Sequence, residues 1–410
     1  MAPDELAYTD PQAWQDIYTN KAALKDPDFY GKNFNGVEEI LSADNANHAR
    51  FRRSFAPAFS ERSVKEQEPL ITGYVDTMVQ NLGAQEGRPV DMLRQLSLAT
   101  FDIIGDLTFG ESFGLLKSSK YHYWVDTTWA VVKAFSITRF THWYPWAAPL
   151  ALLVIPRGLI KQVKDNIKQS TERVNRRLAS KSSRPDIWGL VLSQKGERQL
   201  SVPEMHANSQ TLLLAGADTT ATTLSGLFYF LAKNRETQEK LATEVRSAFA
   251  TDKDINLTEL KPLRYLYACI EEALRVVHPA PTGLPRIVPA GGMTICGEFV
   301  PAKTIVSVST LATLRSPRNF KYPGSFIPER WLGDPEFDCD IKSASQPFMV
   351  GHRNCVGQIL AKHELRLITA KVIWNFDIHL CPESNNWLSE LKVYGVWDKK
   401  PLMMTTKRRQ

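Results

Sequence analysis

The stretch from Val202 to Asn234 limits the fold more than any other. Its polar opening, SVPEMHANSQ, runs into TLLLAGADTTATTLSGLFYFLAK, with no proline after Pro203. Such a run reads as one long helix. Apolar side chains fall on nearly all its sides, so it has to cross an interior and be covered by other elements.

The covering elements follow in the sequence. ETQEKLATEVRSAF reads as a helix with charge on one face, and ELKPLRYLYACIEEALRVV as another, stopped by His278-Pro279. LPRIVP, MTICGEFVP and TIVSVSTLATL read as extended segments, punctuated by Gly-Gly and Pro-Ala turns. After the proline-bearing loop FKYPGSFIPERWLGDP, the residues Ala361, Leu365, Ile368, Val372 and Phe376 recur every three or four positions. That spacing predicts a last long helix with one buried stripe. The fold class is therefore mainly α with a minor β component. No linker, low-complexity tract or internal repeat divides the 410 residues, so one domain over residues 1–410 is expected.

Composition narrows the function classes. The chain is 43% hydrophobic with mean hydropathy −0.26, a soluble globular composition. Its net charge of +6 is scattered, which argues against nucleic-acid binding. Cys269, Cys296, Cys339, Cys355 and Cys381 form no C-x-x-C pair, so neither a zinc site nor a redox dithiol is expected. The opening MAPDELAYTD is polar and reads neither as a signal peptide nor as an anchor. The longest stretch without Asp, Glu, Lys or Arg lies between Arg139 and Arg157 and includes PWAAPLALLVIP. It is too short to span a bilayer and is broken by Pro145, Pro149 and Pro156. Either it is buried or it rests on a membrane surface.

Cys355 differs from the other thiols. It sits in FMVGHRNCVG (348–357), just ahead of the last helix. A thiolate there faces unpaired N–H groups and the positive end of the dipole, both of which favour the anion. Gly351 and Gly357 have no Cβ, so a flat rigid object can lie close to the backbone. Arg353 offers a carboxylate clamp two residues away. Thiolate, flat surface and carboxylate-binding cation together point to heme ligated by cysteine.

The segment F-x-x-G-x-R-x-C-x-G resembles the heme-thiolate signature of the cytochrome P450 family, with Phe348, Gly351, Arg353, Cys355 and Gly357 at its fixed positions. Glu272-Ala-Leu-Arg275 is similar to the family's E-x-x-R, Pro328-Glu-Arg-Trp331 to its P-E-R-[FW] loop, and Ala215-Gly-Ala-Asp-Thr-Thr220 to its oxygen-binding stretch. The resemblance covers nearly the whole chain. It implies the cytochrome P450 fold, with a long central helix over heme and the cysteine loop before the last long helix.

Site roles follow from that resemblance. Cys355 is the axial iron ligand of heme b, with O2 as co-substrate. Asp218 and Thr219 form an acid–alcohol pair for proton supply, and Ala215 and Gly216 leave room beside it. Independently of the family, the Thr219 hydroxyl can bond back to the Ala215 carbonyl. Arg52, Arg286 and Arg353 hold the propionates, helped by His48 where the family usually has tryptophan. Glu272, Arg275 and Arg330 form a buried structural triad. Phe29–Val37, Phe228, Pro281–Leu284 and Val393–Val396 are candidate pocket segments.

The implied activity is monooxygenation, by hydroxylation or epoxidation, of an apolar natural-product intermediate in fungal secondary metabolism. The alternatives are desaturation, ring closure or isomerisation on the same cofactor, or a truncated, non-catalytic heme-binding paralogue. No flavin or nicotinamide fingerprint occurs in the chain, so electrons are expected from elsewhere; the resemblance implies a separate NADPH-dependent flavoprotein reductase. Lys362, Arg366 and Lys371 on the last helix are its expected docking face. The resemblance places the protein at the cytosolic face of the endoplasmic reticulum, with Trp143–Ile155 toward the membrane. It also implies an anchor helix, a hinge, a first helix and a first strand ahead of APDELAYTD, which reads as the second strand, so these elements are expected to be absent from the sequence as given.

Overall fold

The computed structural model describes residues 3–31, 36–118, 144, 146, 157–180, 186–194, 196 and 199–409. Its principal helices are α1 (Gln12–Tyr18), α2 (Asn45–Phe55), α3 (Glu61–Gly83), α4 (Met92–Phe109), α5 (Arg157–Ala179), α6 (Val202–Lys233), α7 (Arg235–Ala248), α8 (Arg264–Val276) and α9 (Gln358–Asn375). The strands are β1 (Glu5–Tyr8), β2 (Leu24–Lys25), β3 (Val90–Asp91), β4 (Arg286–Ile287), β5 (Met293–Ile295), β6 (Glu298–Val300), β7 (Ile305–Val308), β8 (Phe376–Leu380), β9 (Lys392–Tyr394), β10 (Val396–Asp398) and β11 (Met403–Arg408).

Helix α6 is the long run at the centre of the sequence. Ser201 caps it: the Glu204 N–H donates to Ser201 Oγ, and the Ser201 N–H donates to Glu204 Oε2 at 2.8 Å. This reciprocal pair satisfies two end groups that would otherwise lack partners. At the far end Asn234 stops α6 and caps α7, accepting from the Thr237 N–H at 3.1 Å. Helix α4 packs along α6 and is itself buried at every position but Arg94, so the two form the spine of the larger core.

Strands β1, β7, β4 and β2 form one sheet in that order, with β1 parallel to β7 and the other pairs antiparallel. A second, smaller core lies under it, where Trp14, Ile17 and Tyr18 of α1 meet Val288, Ile295, Val306 and Val308. The segment before α9 joins the two cores. Phe348, Val356 and Leu360 pack on the helical one, and Met349 and Val350 on the sheet side.

Three sequence expectations are corrected. ELKPLRYLYACIEEALRVV is not one helix: a short turn, Leu257–Leu260, is separated from α8. Pro262 lacks an amide hydrogen and disfavours helix in the residue before it. TIVSVSTLATL is extended only through Val308, after which Thr310–Leu314 is helical. Phe376 opens β8 rather than closing α9.

Candidate active site

One cavity lies between α6 and the segment ahead of α9. Ala215, Gly216, Thr219, Thr220 and Thr223 line it from α6, and Phe348, Cys355, Gly357, Leu360 and Glu364 from the other wall. Ile104 of α4 and His278–Ala280 close its sides. The cysteine loop is held by the Cys355 N–H donating to the Phe348 carbonyl at 2.8 Å. Gly351 has φ +77°, and Gly357 is the N-cap of α9.

Cys355 is accessible through this cavity although protein surrounds it. Burial pushes its thiol above the usual range, against the Gly357 N–H and the charge of Arg52, which pull it down. The helix-end effect expected from sequence is therefore outweighed by desolvation in the protein alone. A cation bound at this sulfur would favour the thiolate.

Thr219 Oγ1 donates to the Ala215 carbonyl at 2.7 Å, the back-bond predicted from their spacing. Asp218 is buried but is not part of the cavity wall; Lys399 Nζ lies 2.8 Å from its Oδ1. Gly216 lines the cavity, yet its lack of a Cβ is demanded by α4, since a Cβ there would meet Ile104 Cγ1 at 2.6 Å.

The expected propionate residues gather near the cysteine loop. Arg52 donates through both terminal nitrogens to the carbonyl and side chain of Asn354. Arg286 donates to Tyr30 Oη at 2.9 Å and lies over the Tyr18 ring. Arg353 donates to the Ala43 carbonyl at 2.9 Å and to Asn45 Oδ1 at 2.8 Å, while its Nη1 is buried without a partner. His48 is buried, and burial plus the Arg353, Lys25 and Arg52 charges push it down to about 3. Among the described residues none of Arg52, Arg286, Arg353 or Lys25 forms an ion pair with a carboxylate.

This environment tests the fit of heme. Burial and the neighbouring Arg286 and Arg353 charges push Lys25 down to about 6, and burial with Arg286 lowers Arg353 to about 10. Both ring nitrogens of His352 are buried without partners. Basic groups that lower one another's affinity for protons would be relieved by anionic oxygens placed among them. At Gly357 a Cβ would meet no protein atom closer than 3.9 Å, with Cys355 Sγ at 4.0 Å. The protein alone does not require glycine there, and the space left open would admit a flat group against the sulfur. Sulfur donor, glycine floor and cation cluster fit a flat dianionic iron cofactor.

Glu272, Arg275 and Arg330 form a fully buried network that ties α8 to the PERW loop. Arg275 Nη2 is 2.7 Å and Arg330 Nε 3.0 Å from Glu272 Oε1, and Trp331 Nε1 donates to Oε2 at 2.9 Å. Asp340 completes it by pairing with Arg330. Among the pocket candidates, Phe29, Pro281–Gly283 and Val393 line a second cavity with Leu6 and Ile305. Phe228 is fully buried in the core and lines neither cavity. Residues 32–35 of the Phe29–Val37 segment, and all of Trp143–Ile155 except Tyr144 and Trp146, lie outside the described residues.

Sequence reasoning did not single out Lys25, His352, Glu364, Asp340 or Lys399. Glu364 faces the cavity beside Thr220, and burial pushes its carboxyl up to about 8. A lone charge inside the apolar stripe of α9 was the available signal for it. No local signal marks the others.

A sequence model of the cytochrome P450 family matches residues 6–406. The cytochrome P450 monooxygenase FUM2 of Gibberella moniliformis is 42% identical over 98% of this chain and 88% of its own length. The cytochrome P450 monooxygenase efuB of Hormonema carpetanum is also 42% identical, over 98% of this chain and 82% of its own. Averantin hydroxylase of Dothistroma septosporum is 41% identical, over 98% and 78%. With this near full-length match added to the largely helical fold and its cysteine-lined cavity, the chain belongs to the cytochrome P450 family of oxygenase enzymes, which implies a heme-iron cofactor.

Proposed function

We propose that the protein is a heme-thiolate monooxygenase that hydroxylates or epoxidises an apolar natural-product intermediate of fungal secondary metabolism. Its electrons come from an NADPH-dependent flavoprotein reductase. The observation that carries this reading is that Cys355 and Thr219 line one cavity from opposite walls. Heme b, when bound, supplies the chemistry: O2 takes two electrons and two protons, one oxygen atom enters the substrate, and the other leaves as water.

The chain's residues take the following parts. The Cys355 sulfur binds the iron, and the Gly357 N–H holds that sulfur in place. Arg286 and Arg353, with Lys25 and His352 beside them, meet the two propionates, and Arg52 braces the cysteine loop through Asn354. His48, neutral by burial, offers a hydrogen bond to the same group. Thr219 holds a hydroxyl at the cavity wall, with Asp218 one residue away as the acid that feeds it. Ile104, Leu212, Leu274 and Leu360 make the cavity wall apolar, which favours an apolar substrate and excludes water.

For localisation, we place the enzyme at the cytosolic face of the endoplasmic reticulum. No helix among the described residues is long and apolar enough to cross a membrane. Support comes from the apolar composition of Trp143–Ile155 and from Trp146, which is 72% exposed. Tryptophan suits the membrane interface.

The reduced protein under carbon monoxide tests the central assignment. The expected result is the Soret band of thiolate-ligated heme, abolished by Cys355→Ala. A band unchanged in that variant would overturn it.

A further inference from the structure

Asp218 has a partner that no motif announces. Its Oδ1 lies 2.8 Å from the ammonium of Lys399, whose side chain is 2% exposed. The same ammonium donates to Thr222 Oγ1 at 2.7 Å, and that hydroxyl donates to the Asp218 carbonyl at 2.7 Å. Lysine, acid and threonine so close a ring on the side of α6. Asp218 Oδ2 is buried and has no partner.

Lys399 reaches α6 from the segment between β10 and β11, and its backbone is fixed on both sides. Trp397 Nε1 donates to the His278 carbonyl at 2.7 Å, and Trp387 Nε1 to the Lys400 carbonyl at 2.8 Å. His278 itself lines the cavity. The lysine is therefore registered against the cavity wall by its neighbours, as a preorganised group must be. A buried ion pair is weak evidence for stability, because apolar residues of similar volume often do as well. What this pair does supply is a fixed position for one carboxylate oxygen.

We propose that Lys399 is a positioning residue for proton delivery, holding the Asp218 carboxylate so that protons reach Thr219 through this pair. The inference rests on the assignment of Asp218 and Thr219 to proton supply made above. In each transfer Asp218 takes up one proton, gives it up toward Thr219, and returns to the carboxylate that Lys399 holds. No covalent bond changes at the pair, and the reductase supplies the electrons.

An oxidant that brings a single oxygen atom bypasses this demand. Iodosylbenzene transfers its oxygen and leaves as iodobenzene, with no proton taken up. The test uses the heme-loaded full chain with a flavoprotein reductase and thioanisole as probe substrate. Lys399→Met should keep the carbon monoxide band, while sulfoxide formed per NADPH falls about tenfold and peroxide release rises. Iodosylbenzene-driven sulfoxide formation should fall less than about twofold, since it involves no general acid. Lys399→Arg should recover most of the coupling.

Independently of turnover, the melting temperature should drop in Lys399→Met and partly recover in the double variant with Asp218→Asn, because the buried charges are then removed together. Unchanged product per NADPH, or an equal loss with both oxidants, would overturn the proposal. If Lys399→Met does not load heme, Lys399→Gln, which keeps a donor without charge, is read for the same ratio between oxidants. A parent protein lacking the thiolate band would instead overturn the assignment on which this proposal rests.

Discussion

Gly351 has φ +77°, and a Cβ there would come within 2.3 Å of the Tyr18 carbonyl oxygen. Gly357 has neither constraint, for its nearest protein atoms would be 3.9 Å away. The two glycines of one motif thus answer to different demands, one from the fold and one from what the cavity receives. Gly351→Ala should destabilise the protein by about 3 kcal/mol or more, through backbone strain and a clash with α1. Gly357→Ala should change the stability of the heme-free chain by no more than about 1 kcal/mol, the usual effect at a helix N-cap. It should nevertheless lower heme content. Urea unfolding of the heme-free chain and a pyridine hemochrome assay separate the two effects, and full heme loading of Gly357→Ala would sink the second. At this scale the cysteine loop was legible because its residues are contiguous. Lys25 and Lys399 were not, because only tertiary structure brings them to the cations and to Asp218.

Helix α9 shows how far periodicity carries an element. Its spacing located the helix and its apolar stripe, but a single stripe understates the cover. From Leu367 to Ile373 every residue is buried, because α3, α7 and α8 also pack against it. Lys371 therefore does not belong to a docking face: it is buried, with Nζ 2.6 Å from Asp76 Oδ1. Lys362 and Arg366 are partly exposed on the same helix, and Lys362 lies 3.6 Å from Glu271. Reversing the charge of Lys362 and Arg366 together should slow reduction of the heme several-fold at low salt, with less effect at high salt and with heme content kept. Lys371→Met should leave the reduction rate near the parent's and lower stability by about 1–3 kcal/mol, because Asp76 keeps some contact with water. Stopped-flow reduction and thermal unfolding distinguish them. A slowed reduction in Lys371→Met at unchanged stability would restore it to the docking face. The segment after β7 was misread because extended and helical apolar runs of four or five residues look alike until their neighbours are known. The break at Pro262 was legible in the sequence, since proline lacks the amide hydrogen a helix interior needs.

Across the whole molecule the site sits at the seam between the helical core and the sheet core, and the seam concentrates basic side chains. Lys25 and Arg286 come from the sheet, Arg52 and His48 from α2, and Arg353 and His352 from the cysteine loop. The sequence could show a modest net excess of +6 but not that its cations converge, since they lie up to hundreds of positions apart. Convergence has a measurable sign. The folded protein lowers Lys25 from 10.5 to about 6, through burial first and then Arg286 and Arg353. Between those values the unfolded chain binds more protons than the folded one, so this residue's contribution to stability rises with pH. Its penalty is greatest at and below about pH 6 and vanishes as pH approaches the unfolded value. Lys25→Met loses the bond from Nζ to the Leu41 carbonyl at any pH, so the expected sign is in the trend: the melting temperature of the heme-free variant should gain on the parent's at pH 6 relative to pH 9. With heme bound, a dianion beside Lys25 opposes the lowering, so the gain should shrink or reverse and heme should dissociate faster from the variant. Melting curves of both forms at the two pH values, with heme transfer to an apoglobin acceptor, measure this. A gain in stability that is the same with and without heme would mean that the cation cluster does not face the cofactor.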